Sequence, residues 1–195
     1  MKRVGLTGGI ASGKTMVASV FEKLNVPVYY ADKRAGELIN SSKAIITELK
    51  KLLGDDIYSE DGVSKELLSR YIFHHPEIKE KIENIVHPEV MDDWNQWCAK
   101  TGSNYVVMES ALLFQTGYYR QMNAIVVTEA APEVRRMRLS KRDSISNEEA
   151  ALRIQSQGFV VPESMDIPVF VIRNQDDRDM LLIQVLKLHE TLLNS

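Results

Sequence analysis

Residues Gly8-Gly9-Ile10-Ala11-Ser12-Gly13-Lys14-Thr15 satisfy the spacing G-x-x-x-x-G-K-[ST]. Each fixed residue type has a task. Glycines let the backbone wrap a phosphate at distances that a Cβ would block. The turn aims several N–H groups inward, and a helix that follows adds the positive end of its dipole. A lysine at this position reaches the β- and γ-phosphates, and the next hydroxyl ligates Mg²⁺. On this reading all eight residues, Gly8 through Thr15, bind nucleotide, Lys14 acts in catalysis, and Thr15 is the metal ligand.

Other candidates are scattered along the chain. Asp32 stands where an apolar run, Val26-Pro27-Val28-Tyr29-Tyr30, gives way to polar sequence. It could accept a proton from an acceptor hydroxyl, cap the helix that follows, or do both. Glu109 ends Val106-Val107-Met108 and could reach a metal shell through water or simply finish a strand. His87 precedes Pro88 and reads either as a substrate contact or as a packed histidine. Arg135, Arg136, Arg138, Lys141 and Arg142 crowd one short stretch. Arg138 and Arg142 are spaced i, i+4 and share a helix face. Like charges this close are favoured when an anion lies opposite; the plainer reading is a solvated basic face. Arg135 and Arg136 are expected to matter less than Arg142.

These residues need elements to hold them. Val4-Gly5-Leu6 reads as a buried strand before the glycine-rich turn. Val17, Val20, Phe21 and Leu24 then fall on one face of a helix. Residues 26–30 read as a second strand, with Pro27 suited to a sheet edge. Residues 104–108, 124–127 and 168–172 read as three more. Helices are expected at 32–39, 43–53, 64–73, 132–142, 147–156 and 177–193, the last with Asp176 as a possible N-cap. Pro76 starts another helix, which His87-Pro88 is expected to interrupt. The acidic stretch from Asp55-Asp56 to Glu60-Asp61-Gly62 reads as a solvated loop. Strands alternating with helices imply a mostly parallel sheet with right-handed crossovers. The fold class is therefore α/β, a three-layer P-loop NTPase with about five strands, a helical substrate-binding insertion and a helical lid. A single domain is expected. Its nucleotide-binding core comprises 1–35, 99–134 and 159–195, the acceptor-binding insertion is 36–98, and the lid is 135–158.

Composition narrows the class. The chain of 195 residues is 44% hydrophobic and 26% charged, an ordinary globular balance. Its formal charge of −3 does not suit a nucleic-acid binder. The single cysteine, Cys98, permits no intrachain disulfide, is read as a packing residue, and points to the cytoplasm. No apolar run approaches membrane-spanning length. A guanine-binding switch would need Asn-Lys-x-Asp late in the chain, and Asn174-Gln175-Asp176-Asp177 lacks the lysine. A small-molecule kinase needs a base, an acceptor site and cations that close over the phosphates, and each has a candidate here.

Beyond these single readings, the chain resembles the dephospho-CoA kinase family over nearly its whole length. Leu6-Thr7-Gly8-Gly9-Ile10 through Thr15 looks like that family's phosphate loop. Ala31-Asp32 matches the end of its Asp-Ala-Asp motif, whose second Asp is the base. Ile72-Phe73 through Pro76, Val86-His87-Pro88 and Leu112-Leu113-Phe114 match its substrate-domain and Pro-Leu-Leu-Phe-Glu patterns. Arg142-Asp143, Arg153-Ile154 and Gln157 resemble its lid, and Ile172 with Asn174 resembles the segment beside adenine. Tyr30, Ala111, Gln115 and Pro168-Val169 depart from the pattern in secondary contacts, leaving the loop and the base in place.

The resemblance implies transfer of the γ-phosphoryl group of ATP to the ribose 3′-hydroxyl of dephospho-CoA, the last step of coenzyme A synthesis. Asp32, Lys14, Arg138 and Arg142 would be catalytic. Asn174 would contact the nucleotide, and Asp32, His87 and Glu109 the acceptor. Mg²⁺ would be the cofactor, with ATP and dephospho-CoA as the partners of a cytoplasmic monomer or small homo-oligomer. Neither nucleic acid nor a membrane is expected as a partner. Another nucleotide or nucleoside kinase, or a P-loop regulatory switch, is the alternative. The lid is expected to tighten when ATP and acceptor are bound.

Overall fold

A computed structural model describes residues 1–163, 165–175 and 177–194. In chain order the strands are β1 (Lys2–Gly8), β2 (Val28–Tyr30), β3 (Tyr58–Ser59), β4 (Gly62–Val63), β5 (Tyr105–Glu109), β6 (Ala124–Glu129) and β7 (Val169–Arg173). The helices are α1 (Lys14–Lys23), α2 (Ala31–Ser41), α3 (Lys43–Leu53), α4 (Lys65–His74), α5 (Pro76–Lys100), α6 (Pro132–Asp143), α7 (Asn147–Ser156) and α8 (Arg178–Asn194). The chain divides into two compact units. One comprises Met1–Tyr30 with Thr101–Ser195, the other Ala31–Lys100.

The first unit is built on a five-stranded sheet in the order β2-β5-β1-β6-β7, with every pairing parallel. Strands buried on both faces read as near-continuous apolar runs, and β5 and β6 do so. Val4 and Leu6 of β1, Val17 and Phe21 of α1, Val107, Val126 and Ile172 of the neighbouring strands, and Leu181 and Val185 of α8 share one buried cluster. β1 lies at the centre, so the turn that follows it opens at the carboxyl edge of the sheet, where open α/β sheets bind ligands.

The two sheet edges are finished differently. β2 is an edge strand, as Pro27 suggested, and it begins at Val28 rather than Val26. Pro27 has no N–H to give a ladder, but its carbonyl accepts from Val107 N at 3.0 Å. On the other edge, Ile125 N donates to Pro168 O and Asn174 N to Glu129 O, so the alternate residues Val169, Val171 and Arg173 turn their backbone groups outward. The Gln184 carboxamide of α8 meets the last of these. It accepts from Arg173 N and donates to Arg173 O, both at 2.9 Å. Helix α8 is capped by Asp177, whose Oδ1 accepts from Met180 N at 3.0 Å. Asp176, the expected cap, lies outside the described residues.

The second unit comprises α2 to α5 and the small antiparallel hairpin β3–β4. Ser42 and Ser64 cap α3 and α4 with their side-chain oxygens. Arg34 of α2 grips Asp93 of α5 through two hydrogen bonds of 2.9 and 2.6 Å. Two expectations are corrected here. The acidic stretch 55–62 is not plain loop: it contains a single 3₁₀ turn, Asp55–Ile57, then the hairpin, with Ile57 buried beneath exposed carboxylates.

The helix begun by Pro76 is also not interrupted at Pro88. It runs unbroken for 25 residues with Pro88 inside. A proline within a helix costs roughly 3 kcal/mol. The helix buries Ile82, Val86, Val90, Trp94 and Cys98 in one stripe that continues on both sides of the proline. Burial contributes about 1.5–3 kcal/mol for each large apolar side chain, so packing outweighs the lost backbone bond. Cys98 is buried in this stripe.

Candidate active site

The phosphate loop joins β1 to α1. Its curvature depends on two glycines. Gly8 has φ +152°, and a Cβ there would fall 2.4 Å from the backbone oxygen of Thr128. Gly13 has φ +101° and is pressed against the Asn174 amide nitrogen, 1.9 Å from an ideal Cβ position. Ala11 takes the left-handed conformation at φ 59° without being glycine, a local strain of order 1–3 kcal/mol that the surrounding contacts must hold. Gly13 is also the N-cap of α1 and offers no side-chain cap, so the first helical amides remain directed to the loop mouth. Lys14 folds back over the loop, its Nζ donating to Gly8 O at 3.1 Å. Thr15 is exposed at the start of the helix.

Behind the loop runs a buried hydroxyl chain. Thr128 Oγ1 donates to Thr7 O at 3.1 Å. A hydroxyl has one proton, so the 2.6 Å bond to Ser12 must be donated by Ser12 Oγ. Asn174 adds a second tie, with Nδ2 donating to Ser12 O at 3.0 Å. Asn174 therefore serves the loop directly, while its neighbours Arg173 and Gln175 line a cavity beside it. That cavity, of about 430 Å³, is also bordered by Gly9, Thr128, Arg135 and Phe159.

The arginines separate by position. Arg138 reaches the loop, donating to Ala11 O and Ser12 O at 3.4 Å and to Asn174 O and Oδ1 at 3.2 and 3.0 Å. Arg135, expected to matter less than Arg142, lies over Gly9 and donates through Nε to Ile10 O at 2.8 Å. Burial pushes its pKa below the usual guanidinium value. Arg142 is exposed and held by Asp143 through bonds of 2.7 and 3.2 Å. That hydrogen bond raises the Arg142 pKa and, together with the charge of Arg153, depresses the Asp143 carboxyl. Arg136 is exposed, paired with Glu133 at 3.7 Å.

Glu109 is 7% exposed at the carboxyl end of β5, in register with Leu6 of β1 and Tyr30 of β2. Tyr30, which departs from the family pattern, has its phenol pushed up to about 12. Burial is the largest cause, followed by a hydrogen bond to Glu22 and the charges of Glu22 and Glu109. In the second unit, Asp32 occupies the first turn of α2, two residues beyond the end of β2. Carboxylates are favoured in that turn. His87 sits within α5, where burial lowers its pKa and Glu83 partly opposes that.

Sequence reasoning missed Thr128 and did not foresee the contact of Arg135 with the loop. Thr128 is visible in the sequence only as the polar end of Ile125-Val126-Val127, and its partners Thr7 and Ser12 lie more than a hundred residues away. Gln157 entered through resemblance alone; here its Oε1 accepts from Ile10 N at 2.5 Å.

The family model described as CoaE: Dephospho-CoA kinase matches residues 2–179. A dephospho-CoA kinase of Bacteroides fragilis is 33% identical over 187 residues, 95% of this chain and 90% of the relative. Among solved structures, TT1252 from Thermus thermophilus superposes with a TM-score of 0.82 at 26% identity, covering 100% of this chain and 98% of that one. The dephospho-CoA kinase from Campylobacter jejuni gives 0.70 at 23% identity, covering 98% and 97%, and supports the fold. With a phosphate loop set in a parallel sheet and this match over nearly its whole length, the chain belongs to the dephospho-CoA kinase family, ATP-dependent enzymes that phosphorylate a hydroxyl group.

Proposed function

We propose that this chain transfers the γ-phosphoryl group of ATP to the ribose 3′-hydroxyl of dephospho-CoA, through the residues named above. The observation that carries the assignment of roles is the phosphate loop itself: an uncapped helix start, a left-handed turn at Ala11 and Lys14 folded across the mouth. Loop amides and Lys14 hold the β- and γ-phosphates, and the cavity bordered by Arg135, Arg173 and Gln175 takes the nucleoside end. The acceptor oxygen forms its bond to phosphorus as the bond to the β–γ bridging oxygen breaks. Asp32 takes the hydroxyl proton, and ADP leaves. The transition state is loose, so positioning and charge neutralisation are the protein's main work. Arg138 supports the loop, and Arg142, released from Asp143, faces the transferring group when the 135–158 lid closes. His87 and Glu109 contribute to acceptor or metal contacts.

Among the described residues no cluster of three His, Cys, Asp or Glu side chains could hold a metal. Mg²⁺ takes one or two protein oxygens and completes its shell with phosphates and water. The exposed Thr15 hydroxyl would be the direct ligand and Glu109 would act through water. When bound, the ion neutralises charge on the β- and γ-oxygens. The working state is a cytoplasmic monomer or small homo-oligomer with neither nucleic acid nor membrane as partner. Among the described residues no helix is long and apolar enough to cross a membrane.

The test is a coupled ADP-release assay across dephospho-CoA, AMP, CMP and adenosine, run on the wild type and Asp32→Asn. Preference for dephospho-CoA is expected, with kcat reduced about 10²–10⁴-fold in the variant and ATP affinity little changed. A preserved kcat with a lowered melting temperature would leave Asp32 only a stabiliser of the first turn of α2, within the helix rather than capping it, and place the base elsewhere.

A further inference from the structure

Both polar groups of the Ile10 main chain are held by side chains from the α6–α7 segment. Arg135 Nε donates to Ile10 O at 2.8 Å, and Gln157 Oε1 accepts from Ile10 N at 2.5 Å. The two contacts come from opposite ends of the segment, one from the first turns of α6 and one from the residue that closes α7. The backbone around Gln157 is arranged to deliver it. Gln157 is the C-cap of α7, and Gly158 follows at φ +58°, the left-handed stop that ends many helices. The chain then turns away, and Phe159 packs on Phe114, with ring centroids 6.1 Å apart. Phe114 in turn meets Tyr119 edge-on at 5.6 Å. The turn at Gly158 thus sends one residue to the phosphate loop and the next into an aromatic anchor.

From this we infer that Gln157 is a positioning residue for phosphoryl transfer: its carboxamide, with Arg135, clamps the two peptides that flank the Ile10 Cα and pre-shapes the phosphate loop for nucleotide. The inference rests on the kinase reading and deepens it. The loop contains a strained left-handed residue, Ala11, directly after Ile10. Gln157 holds the Gly9–Ile10 peptide by its N–H and Arg135 holds the Ile10–Ala11 peptide by its C=O, so the two peptide planes leading into Ala11 resist the rotations by which that strain would relax. Gln157 need not touch ATP to do this. Loss of its carboxamide costs order in the empty loop, which ATP must then restore on binding.

The experiment measures Ile10 amide exchange by NMR in nucleotide-free protein, together with kcat and KM for ATP at saturating acceptor. Gln157→Ala is expected to speed Ile10 exchange and raise KM for ATP about 2- to 10-fold, the equivalent of one neutral hydrogen bond, while kcat changes little. Gln157→Glu keeps an acceptor in place and is expected to return Ile10 exchange to the wild-type rate, a rescue that a general packing role would not give. The same readout covers the case in which the alanine variant folds poorly. Unchanged exchange and KM in Gln157→Ala would overturn the proposal. So would a lower KM for ATP, because the carboxamide would then be competing with phosphate for the loop. Wild-type ADP release measured in parallel separates these outcomes from failure of the kinase reading, which would leave the wild type itself without transfer.

Discussion

The phosphate loop is held in two different ways on its two sides. Toward the sheet it is tied by Ser12, Thr128, Thr7 and Asn174, each no more than 2% exposed. Toward the α6–α7 segment it is tied by Arg135, Arg138 and Gln157, all partly open to solvent. Buried hydroxyl and amide bonds have no water to replace them, so breaking one leaves an unsatisfied partner. Partly exposed side chains can exchange their loop contacts for water at smaller cost. The first set is suited to fixing curvature from within, and the second steadies the empty loop through contacts that cost less to break.

Removing the loop's own cation sets the upper limit. Lys14→Ala is expected to lower kcat by about 10²–10³-fold or more without unfolding the protein, as judged by steady-state kinetics beside circular dichroism. Near-normal turnover in a folded variant would end the phosphate-loop assignment and the comparison with it.

The two arginines one helical turn apart sharpen the contrast. Arg138→Ala removes bonds to Ala11 O, Ser12 O and Asn174, so it should lower both melting temperature and activity, the latter roughly 10- to 100-fold. Arg142→Ala removes only an exposed pair with Asp143 from the resting protein. It should leave stability nearly unchanged and act on kcat more than on acceptor binding. A harmless Arg142→Ala, with amide exchange across 135–158 indifferent to ATP plus dephospho-CoA, would reduce that side to a solvated basic face.

Thr128→Val keeps shape and deletes the relay between Ser12 and Thr7. It is expected to cost about 1–3 kcal/mol, with each kcal/mol lowering the melting temperature about 2–4 °C in a chain this long. KM for ATP should rise as well, and Thr128→Ser should recover both. If Thr128→Val is neutral, the buried side of the loop is no firmer than the exposed one.

The smallest effect lies away from the loop. The folded protein keeps the Tyr30 phenol neutral to about pH 12, whereas an unfolded tyrosine ionises near 10. The unfolded chain therefore loses its proton first. This part of the stability is intact below about pH 10 and is lost as pH rises toward 12. Tyr30→Phe should flatten that alkaline decline in a chemical-denaturation series, with activity at neutral pH little altered. An unchanged slope would show that the phenol is not held neutral.

What was legible in the sequence follows from where each signal lies. β1, the loop and α1 are contiguous, and their periodicity and glycine spacing are local. β5, β6 and β7 announce themselves as short apolar runs because both faces are buried. The passage of α5 through Pro88 was hidden, since local rules favour a break and only the buried stripe from Ile82 to Cys98 reverses them. The hairpin at Tyr58–Val63 was too short to show a period among its carboxylates. In the site, the placement of Lys14 and Thr15 at the start of α1 was readable from spacing. Thr128, Arg135 and Gln157 acquire their roles from partners more than a hundred residues distant, which no local pattern encodes.

The carboxamide of Gln184 has a consequence for life at high concentration. An outer strand with bare peptide groups is a template on which other chains can add and grow an intermolecular ladder. On β7 that template is shortened at its carboxyl end, because Gln184 already occupies both groups of Arg173 as a neighbouring strand would. Pro168 stands just before the other end. An incoming chain is left with only Val169 and Val171 to pair, too few to seed a sheet, so a single glutamine on the last helix acts as a guard against self-association of the exposed valines beside it.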